Sequence, residues 1–397
     1  MISLSEARTL IAESVEPLRP VRASLADAVG RVLREEVRAP EDLPGFDRSA
    51  MDGYVMQAED ASERLRVVAE IQPGAMAPFQ LKRGECARIF TGAAIPIGGS
   101  QVLMQEDARR EGEWMIPLRR TPARHIRERG EDAGKGDLLL PSGVRIGSGE
   151  AALLAQIGAT QLHVSAAPRV VHITTGNEIV APDVQPAPGQ IRNSNSTLVA
   201  ALLAERGAAV LAQKHCSDRL DEMLEVIRSQ PDDRWDLLLI SGGASVGDYD
   251  LGARALEALG FTIHFRKINL RPGKPLIFGT RDEQVAFVLP GNPVSHFVTF
   301  HLAVRLALEC LEASPRWWPL AKVPLASEIA ASGDGRETWC PARLSWSEEI
   351  RVAPLTWRSS GDVRGLAGVN ALVRVPAGSG AVAAGEIVEC LSLEARS

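Results

Sequence analysis

Residues 236–250 read DLLLISGGASVGDYD, and this stretch decides the fold. Its first part is a short apolar run, which is typical of a strand buried inside a parallel sheet. Gly242, Gly243 and Gly247 follow the end of that strand, and a helical pattern begins at Leu251. Glycine lets backbone N–H groups approach a ligand closely, because no Cβ intervenes. The stretch therefore predicts an α/β domain with a ligand-binding turn at a strand end.

Two more glycine turns follow, RPGKP at residues 271–275 and LPGNPVS at residues 289–295. The first of them carries two cations, Arg271 and Lys274. A crevice at strand ends that is lined by backbone amides, lysine and arginine suits phosphate or another oxyanion. A single turn of this kind would be explained as well by ordinary tight-turn geometry. Three of them in one unit favour a shared anion-binding site.

The residues around these turns alternate between strand and helix patterns. Alternation of this kind predicts a parallel sheet with helices on both faces. Asn292 and Pro293 are expected to be the N-cap and first residue of a long final helix that ends near residue 313. Apolar runs and periodicity predict strands at 169–174, 208–213, 236–241 and 262–267, and helices near 195–206, 218–230 and 250–260.

The flanking segments follow other patterns. Ser3 and Glu6 form a capping box that begins a helix over residues 3–16, and a second helix is expected from Ser24 through Leu33. Short β-like runs then continue to about residue 135, and short strands with many glycines return after residue 315. The patterns predict four domains, which are 1–40 with 136–167 (helical), 41–135 (inserted, mostly β), 168–314 (α/β) and 315–397 (small β barrel).

Composition limits the classes of function. The chain has 397 residues, of which 45% are hydrophobic and 24% charged, as expected of a globular protein with several domains. A net charge of −6 argues against nonspecific nucleic-acid binding. No apolar run approaches the roughly 18 residues that span a bilayer, and the N-terminus lacks the layout of a signal peptide. The five scattered cysteines favour buried free thiols in a reducing cytoplasm over zinc ligands or disulfides.

The three turns, taken together and in this order, resemble the signature of a known family. They fit Ser-Gly-Gly-x-Ser-x-Gly-x-x-Asp at 241–250, Pro-Gly-Lys-Pro at 272–275 and Leu-Pro-Gly-Asn-Pro at 289–293. These motifs are similar to those of the molybdopterin molybdenumtransferases, the MoeA and gephyrin E-domain family. The resemblance implies an α/β multidomain fold. Its parts are a central doubly wound parallel-sheet domain of the molybdenum-cofactor-biosynthesis type, an inserted elongated β domain, a helical N-terminal domain and a C-terminal β barrel.

The resemblance also implies a reaction. Members of the family take adenylylated molybdopterin, release its AMP with Mg²⁺ as cofactor, and insert molybdate at the dithiolene to give molybdenum cofactor. They are homodimers in which the β domain of one subunit reaches the α/β domain of the other. Further partners that the resemblance implies are the molybdopterin adenylyltransferase and the proteins that accept the cofactor. Two alternatives remain open, namely a divergent member acting as the adenylyltransferase and a non-catalytic scaffold.

Five acidic residues match the family's catalytic positions, and three of them, Glu178, Asp218 and Asp250, would hold Mg²⁺, which prefers hard oxygen ligands. Structural alternatives exist for the aspartates, because Asp218 and Asp250 could cap helices and Asp52 and Asp132 could serve turns. Glu178 is the hardest to explain in that way, since a strand-end position in a parallel sheet faces the ligand crevice. The five are Asp52, Asp132, Glu178, Asp218 and Asp250.

The resemblance further implies a substrate-binding set. Arg271 and Lys274 would take molybdate or phosphate, and the turn at 241–247 would hold the pterin nucleotide. Arg127 and Arg129 of the β domain are additional candidate cations. The complete set is Thr91, Ser241, Gly242, Gly243, Ser245, Gly247, Lys267, Arg271, Gly273, Lys274, Pro290, Gly291 and Asn292.

The chain departs from the family's pattern at several positions. Arg271 stands where a lysine is frequent, which keeps the charge but exchanges a compact ammonium for a planar fork. Asn177 and Asn193 replace frequent aspartates, and Glu128 interrupts what is usually an unbroken arginine run. Residues 359–364 follow the family's C-terminal serine-glycine pattern only in part. These departures concern substrate affinity and the choice of oxyanion rather than the fold.

Overall fold

The computed structural model of the protein describes residues 1–230, 235–243, 251–315, 318–331, 333, 335–346 and 349–393. The helices are α1 Leu4–Ser14, α2 Leu25–Ala28, α3 Ser148–Gln156, α4 Ser194–Ala204, α5 Leu220–Arg228, α6 Leu251–Ala258, α7 Pro293–Thr299 and α8 Arg305–Leu311, with a π-helical segment Phe300–Val304 and 3₁₀ turns at Gln105–Asp107 and Val363–Leu366.

The strands are β1 Val21–Ser24, β2 Val37–Arg38, β3 Arg48–Ser49, β4 Gly53–Met56, β5 Leu65–Ile71, β6 Glu85–Ile89, β7 Gln101–Met104, β8 Ala108–Glu111, β9 Trp114–Pro117, β10 Ile126–Arg127, β11 Leu138–Leu140, β12 Gln161–Val164, β13 Arg169–Thr175, β14 Ile179–Val180, β15 Ile191–Arg192, β16 Ala209–Cys216, β17 Leu237–Ser241, β18 Thr262–Phe265, β19 Leu270–Arg271, β20 Ile277–Arg281, β21 Gln284–Leu289, β22 Leu320–Pro324, β23 Glu337–Trp346, β24 Ile350–Pro354, β25 Ala371–Val375 and β26 Ile387–Ser392.

The chain forms two compact units. The α/β unit comprises Met1–Glu35, Ser142–Ala155 and Ala159–Ser397, and the β-rich unit comprises Glu36–Pro141 and Gln156–Gly158. In the β-rich unit six strands form one sheet in the order β7-β4-β6-β5-β9-β8, and two short ladders join β10 to β3 and β11 to β2. The four domain boundaries given above remain a prediction.

A six-stranded sheet forms the centre of the α/β unit, in the order β16-β13-β17-β21-β20-β18. The first four of these strands run parallel to one another, as the alternation of strands and helices predicts. β20 and β21 form an antiparallel hairpin that the sequence analysis missed. The predicted strand at 262–267 is β18, which pairs with β20 at the edge of the sheet rather than with the parallel strands.

Helices cover both faces of this sheet. Successive side chains of a strand point to opposite faces, so each strand contributes to two cores. In β17, Leu237 and Leu239 pack into a core with α1, α4 and the final helix. Leu238 and Ile240 pack into a second core with α5 and α6. All four side chains are fully buried, and trimming a buried leucine of this kind to alanine costs about 2–5 kcal/mol. The doubly wound arrangement is thereby confirmed.

The final helical segment runs from Pro293 to Leu311, and every residue after the half-buried Pro293 is buried in the core. It is 19 residues long and contains an 18-residue window with a mean hydropathy of 1.3, so by length and composition it could cross a membrane, which the sequence analysis did not find. Its burial and the ion pair of Arg305 with Glu309 at 2.9 Å are those of a core helix. Asn292 stands at its N-cap position and Pro293 at its first residue, as predicted.

The remaining strands of the α/β unit form a second large sheet, in the order β19-β23-β25-β26-β22, with β24 paired to β23. One face encloses its own core, while Trp339, Leu372 and Leu391 join the core beside the final helix. The capping box of Ser3 and Glu6 is confirmed. The second predicted helix is wrong beyond Ala28, because Val32 and Leu33 are buried by bridging to Arg145 and Val164 instead.

Candidate active site

One cleft in the α/β unit, here called the acidic cleft, has a volume of about 840 Å³ and lies at the carboxyl ends of β13 and β17. Its wall includes two carboxylates, Glu178 and Asp218, and the N-terminal residues of α4. Seven predicted site residues line it, namely Glu178, Asp218, Ser241, Gly242, Gly243, Gly291 and Asn292.

Glu178 and Asp218 follow the ends of the neighbouring strands β13 and β16, which brings them to one edge of the sheet. Gly176 permits the tight turn before Glu178, since a Cβ at this position would lie 2.9 Å from Glu178 Oε2. Asp218 Oδ1 accepts a hydrogen bond of 2.6 Å from the Thr175 hydroxyl. The capping alternative for Asp218 is wrong, because α5 has Arg219 at its N-cap and no side-chain cap. The Asp218 carboxylate therefore borders the cleft.

The two asparagines that replace frequent aspartates both have structural roles here. Asn177 Oδ1 accepts a hydrogen bond of 3.2 Å from the Asp218 backbone N–H. Asn193 caps α4 by accepting from the Ser196 N–H at 3.0 Å. Its Nδ2 donates to the Thr174 hydroxyl, also at 3.0 Å. An aspartate carboxylate could supply the acceptors but not this donor, so the Asn193 amide belongs to a network that an aspartate could not complete.

Gly242 holds the glycine turn against the neighbouring strand. Its φ is +96°, and an added Cβ would lie 2.7 Å from the carbonyl oxygen of Thr175. We expect Gly242→Ala to lower the free energy of unfolding by about 1–3 kcal/mol, because both the dihedral and the contact become strained. Chemical denaturation measures this change. Gly149→Ala is the matched control, since Gly149 lies inside α3 with open space around it. That exchange should stabilise the protein slightly, and equal effects of the two would contradict the prediction.

The second cleft, here called the cationic cleft, has a volume of about 850 Å³ and lies between the turns at 271–275 and 290–292 and the C-terminal sheet. Four cations and one carboxylate are among the described residues that line it, and these are Arg271, Lys274, Arg336, Arg358 and Glu328. The predicted residues Gly273, Pro290, Gly291 and Asn292 line it as well.

The positive charge of the cationic cleft comes from its arginine and lysine side chains, and its thiol carries no charge. Cys340 lies in the cationic cleft, where burial raises the pKa of its thiol to about 11 despite the opposing effect of Arg271. The thiol is therefore protonated and neutral near pH 7. An excess of positive charge in a partly enclosed crevice favours an oxyanion.

Gly291 and Asn292 line both clefts. The Asn292 side chain makes no cap hydrogen bond to its own helix, and its Nδ2 donates to the Ser360 hydroxyl at 2.7 Å. Ser359 and Ser360 border the cationic cleft, and Gly361 borders the acidic one. These C-terminal residues, together with Arg336 and Arg358, are site residues that sequence reasoning missed. The partial serine-glycine motif at 359–364 was the available signal.

Three predicted residues lie in the β-rich unit. Asp52 Oδ1 accepts hydrogen bonds of 2.8 Å from both the backbone N–H and the hydroxyl of Thr91. These bonds hold the pKa of the Asp52 carboxyl below its usual range. Asp132 forms an ion pair with Arg127, and Arg129 donates to Asp42 at 2.7 Å. The two candidate arginines of this unit are therefore paired with carboxylates.

We expect Thr91→Val to raise the pKa of Asp52 toward its ordinary value, because valine removes the hydroxyl donor and leaves the backbone donor. The lowered pKa in the folded protein means that this interaction stabilises the fold above the ordinary pKa, and that the contribution is lost as the pH falls through the folded pKa. An NMR titration of the Asp52 carboxyl measures the shift. Thr121→Val in the same unit is the control, and an equal pKa in all three proteins would contradict the prediction.

Three predicted residues, Ser245, Gly247 and Asp250, lie outside the described residues. Lys267 is absent from the described lining of either cleft, and its backbone carbonyl accepts from the Ile2 N–H instead. Within the described residues no group of three His, Cys, Asp or Glu side chains could hold a metal. Glu178 and Asp218 are thus a pair of candidate ligands.

The fold and the clefts define a class of protein. A doubly wound sheet carries an acidic cleft at its strand ends, and a cationic cleft shares a wall with it. This is the arrangement of an α/β protein that binds an anionic ligand in the crevice at the carboxyl ends of its strands.

Comparison with known proteins identifies the family. Three family models match, described as "MoeA N-terminal region (domain I and II)" at residues 2–158, "Probable molybdopterin binding domain" at 172–309 and "MoeA C-terminal region (domain IV)" at 322–393. The chain is 36% identical to a molybdopterin molybdenumtransferase of Nostoc sp., with 92% of this chain and 87% of the relative covered. It is 31% identical to that of Bacillus subtilis, with 93% and 88% covered.

A solved structure has the same fold along the whole chain. The molybdopterin biosynthesis MoeA protein from Pyrococcus horikoshii superposes with a TM-score of 0.82 at 28% identity, and both chains are covered completely. The protein therefore belongs to the MoeA family of molybdopterin molybdenumtransferases.

Proposed function

We propose that this protein inserts molybdenum into adenylylated molybdopterin with release of AMP, and so completes molybdenum cofactor. The observation that carries the proposal is the pair of clefts that share Gly291 and Asn292, one acidic and one cationic. A reaction that joins a phosphate-bearing pterin to molybdate needs two adjoining sites. No protein nucleophile is required, because the enzyme acts by positioning and charge neutralisation.

The acidic cleft is proposed to hold the pterin nucleotide with Mg²⁺. Glu178 and Asp218 supply hard carboxylate oxygens to one cleft, which is the donor type that Mg²⁺ takes beside phosphate oxygens and water. When bound, the metal would neutralise charge on the departing AMP. Gly242 and Gly243 would let the chain approach the nucleotide closely, and Asp250 is proposed as a third ligand on the basis of the resemblance.

The cationic cleft is proposed to hold molybdate. Molybdate is a tetrahedral dianion, and a partly dry crevice must supply fixed cations and polar donors to compensate for lost water. Arg271 and Lys274 come from the glycine turn, and Arg336 and Arg358 come from the C-terminal sheet domain. The Ser360 hydroxyl at the wall between the clefts is held by Asn292. Molybdate would therefore lie beside the bound pterin.

The proposal is tested by titrating the purified protein with adenylylated molybdopterin, with and without molybdate, in the presence of Mg²⁺. We expect AMP and molybdenum cofactor to form only when molybdate is added or already bound. Consumption of ATP to load AMP onto molybdopterin would favour the adenylyltransferase alternative. Binding without any turnover would favour the scaffold alternative, and absence of binding would overturn the proposal.

We also propose that the protein is a cytoplasmic homodimer whose two subunits both contribute to each active site. The motif residues fall on both units of the chain, with Asp52 in the β-rich unit and Glu178 in the α/β unit. In the resembling family these contributions come from different subunits. The adenylyltransferase and the cofactor-accepting proteins are the partners that this reaction requires.

Mixing two inactive variants tests the shared site. Asp52→Ala and Glu178→Ala chains should each be inactive, and a mixed dimer should regain part of the activity through one intact site. The measurement is AMP release after conditions that exchange subunits, with exchange verified by differently tagged chains. If the mixed dimers form and remain as inactive as their parents, the sites do not combine residues of two subunits.

A further inference from the structure

Two fully buried histidines, His172 and His296, lie beneath the glycine turns that line the acidic cleft. His172 Nε2 is 2.6 Å from the Ser241 hydroxyl, and His296 Nδ1 is 3.3 Å from the Pro290 carbonyl oxygen. The two rings meet edge to face, with centroids 6.4 Å apart. The turns themselves lie close together, since an added Cβ on Gly291 would lie 3.8 Å from Gly242 Cα. The histidine pair thus contacts both turns from below.

The hydrogen bonds around His172 decide which ring nitrogen carries the proton. Gln213 Nε2 donates to the Ser196 carbonyl oxygen at 2.8 Å, so this atom must be the amide nitrogen and not the amide oxygen. The same Nε2 is 2.9 Å from His172 Nδ1, and its second hydrogen points to that ring nitrogen. His172 Nδ1 must therefore accept. Its Nε2 carries the hydrogen and donates to Ser241 Oγ.

A neutral ring is required for this polarity, because a protonated imidazole would direct an N–H at the Gln213 amide. Burial, with a smaller contribution from His296, lowers the pKa of His172 to about 3. Burial also lowers the pKa of His296 to about 4. Both rings are therefore neutral at physiological pH.

The consequence falls on Ser241. Its oxygen already accepts from His172, so its own O–H must donate to something else. The described residues provide Ser241 Oγ with His172 as its hydrogen-bond partner, and Ser241 lines the acidic cleft. We propose that Ser241 donates a hydrogen bond to an anionic oxygen of the ligand in this cleft, and that His172 and Gln213 are positioning residues that fix the direction of this bond.

This inference rests on the proposed function, which puts the phosphate-bearing pterin nucleotide in the acidic cleft. It adds to that site a fixed direction of hydrogen-bond donation, from the protein to the ligand. One Gln213 N–H donates to the Ser196 carbonyl and fixes the amide. From the other Gln213 N–H onward, through His172 N–H to Ser241 O–H, each donor points toward the cleft. A phosphate oxygen is a pure acceptor, and so it completes the chain, whereas a ligand N–H donor at the same place would meet the Ser241 hydrogen.

The test reverses the direction of these hydrogen bonds by replacing Gln213, the first donor of the series, with a residue that can only accept. Gln213 is exposed on β16, so Gln213→Glu should be tolerated. A carboxylate can only accept, which would move the ring hydrogen to Nδ1 and make Ser241 donate into His172 Nε2 rather than into the cleft. We expect Gln213→Glu to raise the Kd for adenylylated molybdopterin roughly tenfold. The dependence of turnover on molybdate should be unchanged, because the cationic cleft is untouched.

Three further proteins complete the experiment. Ser241→Ala should raise the same Kd by a similar factor, and the double variant Gln213→Glu, Ser241→Ala should bind no more weakly than Ser241→Ala alone. Gln213→Met, which removes the amide without imposing the opposite polarity, should have a smaller effect than Gln213→Glu. ¹⁵N NMR of labelled histidine reports the tautomer of His172, which we expect to carry its hydrogen on Nε2 in the parent and on Nδ1 in Gln213→Glu.

The possible outcomes distinguish a failure of this inference from a failure of the proposed function on which it rests. If the parent protein fails to bind adenylylated molybdopterin, the proposed function is wrong and the inference falls with it. If the parent binds but Gln213→Glu and Ser241→Ala bind equally well, the function stands and the inference is overturned. A parent His172 that carries its hydrogen on Nδ1 overturns it as well. A weaker binding of Gln213→Glu that adds fully to that of Ser241→Ala would show that Gln213 acts by another route.

Discussion

Replacing Asp218 with asparagine is expected to lower the rate of AMP release roughly 100-fold while leaving the fold intact. The exchange removes a carboxylate charge from the acidic cleft, where we propose that it holds Mg²⁺. The asparagine oxygen can still accept the hydrogen bond from the Thr175 hydroxyl. No helix cap is lost, because Arg219 occupies the N-cap of α5. AMP release at saturating substrate and the midpoint of thermal unfolding are the two measurements.

Asp221 supplies the matched control for this experiment. It is exposed on the first turn of α5 and pairs with Arg219, so Asp221→Asn should change AMP release little. If Asp218 is a metal ligand, raising the Mg²⁺ concentration should restore part of the activity of Asp218→Asn. Full AMP release in that variant, or a fall in thermal stability as large as the fall in activity, would contradict the assignment.

Those parts of the fold that depend on local patterns could be predicted from the sequence. The run at 237–240 is apolar on both faces because helices cover both sides of its strand, and such a run predicts a buried parallel strand without further information. Asn292 and Pro293 predict the start of the final helix from an equally local pattern, an N-cap residue followed by a proline at the first helical position. The glycine turns are visible because Gly242 must adopt a positive φ against Thr175.

Features that depend on distant partners could not be predicted in the same way. A helical pattern through Val32 and Leu33 is overridden by bridges to Arg145 and Val164, which no window around residue 30 contains. The β20–β21 hairpin is short and lies within the alternating series, so its strands read as part of a loop. Asn292 and Ser360 are 68 residues apart in the chain and yet join at the wall between the clefts.

The candidate site was predicted as a set of residues but not as two clefts. The turns that carry Gly242 and Arg271 lie in one unit, and their motifs suggest a single pocket. The structure separates them, with the predicted carboxylates Glu178 and Asp218 in one cleft and most of the cations in the other. Side-chain direction at the strand ends decides this division, and sequence spacing does not contain that information. His172 was missed for the same reason. From the sequence it is one interior residue of β13, and the direction of its side chain toward Ser241 is seen only in the structure.

Arg271 is the residue on which the choice of oxyanion should depend most. It is half-buried at the end of β19 and lines the cationic cleft. Its guanidinium can bind two oxygens of a tetrahedral dianion in parallel, whereas lysine offers a single movable charge. We expect Arg271→Ala to raise the molybdate concentration for half-maximal turnover at least tenfold, equivalent to about 1.4 kcal/mol. Arg271→Lys should fall between the parent and the alanine variant, because the charge remains and the fork is lost.

The experiment compares molybdate titrations of these proteins with separate binding curves for adenylylated molybdopterin. Pterin affinity should change little, since the acidic cleft keeps all of its lining residues. Adding Lys274→Ala should weaken molybdate binding further, to roughly 100-fold if the two cations act independently. Arg351→Ala is the control. Arg351 is on β24, pairs with Glu349 and is not among the described residues that line either cleft. A loss of pterin affinity with unchanged molybdate dependence would mean that Arg271 binds the phosphate of the pterin, and the roles proposed for the two clefts would have to be exchanged.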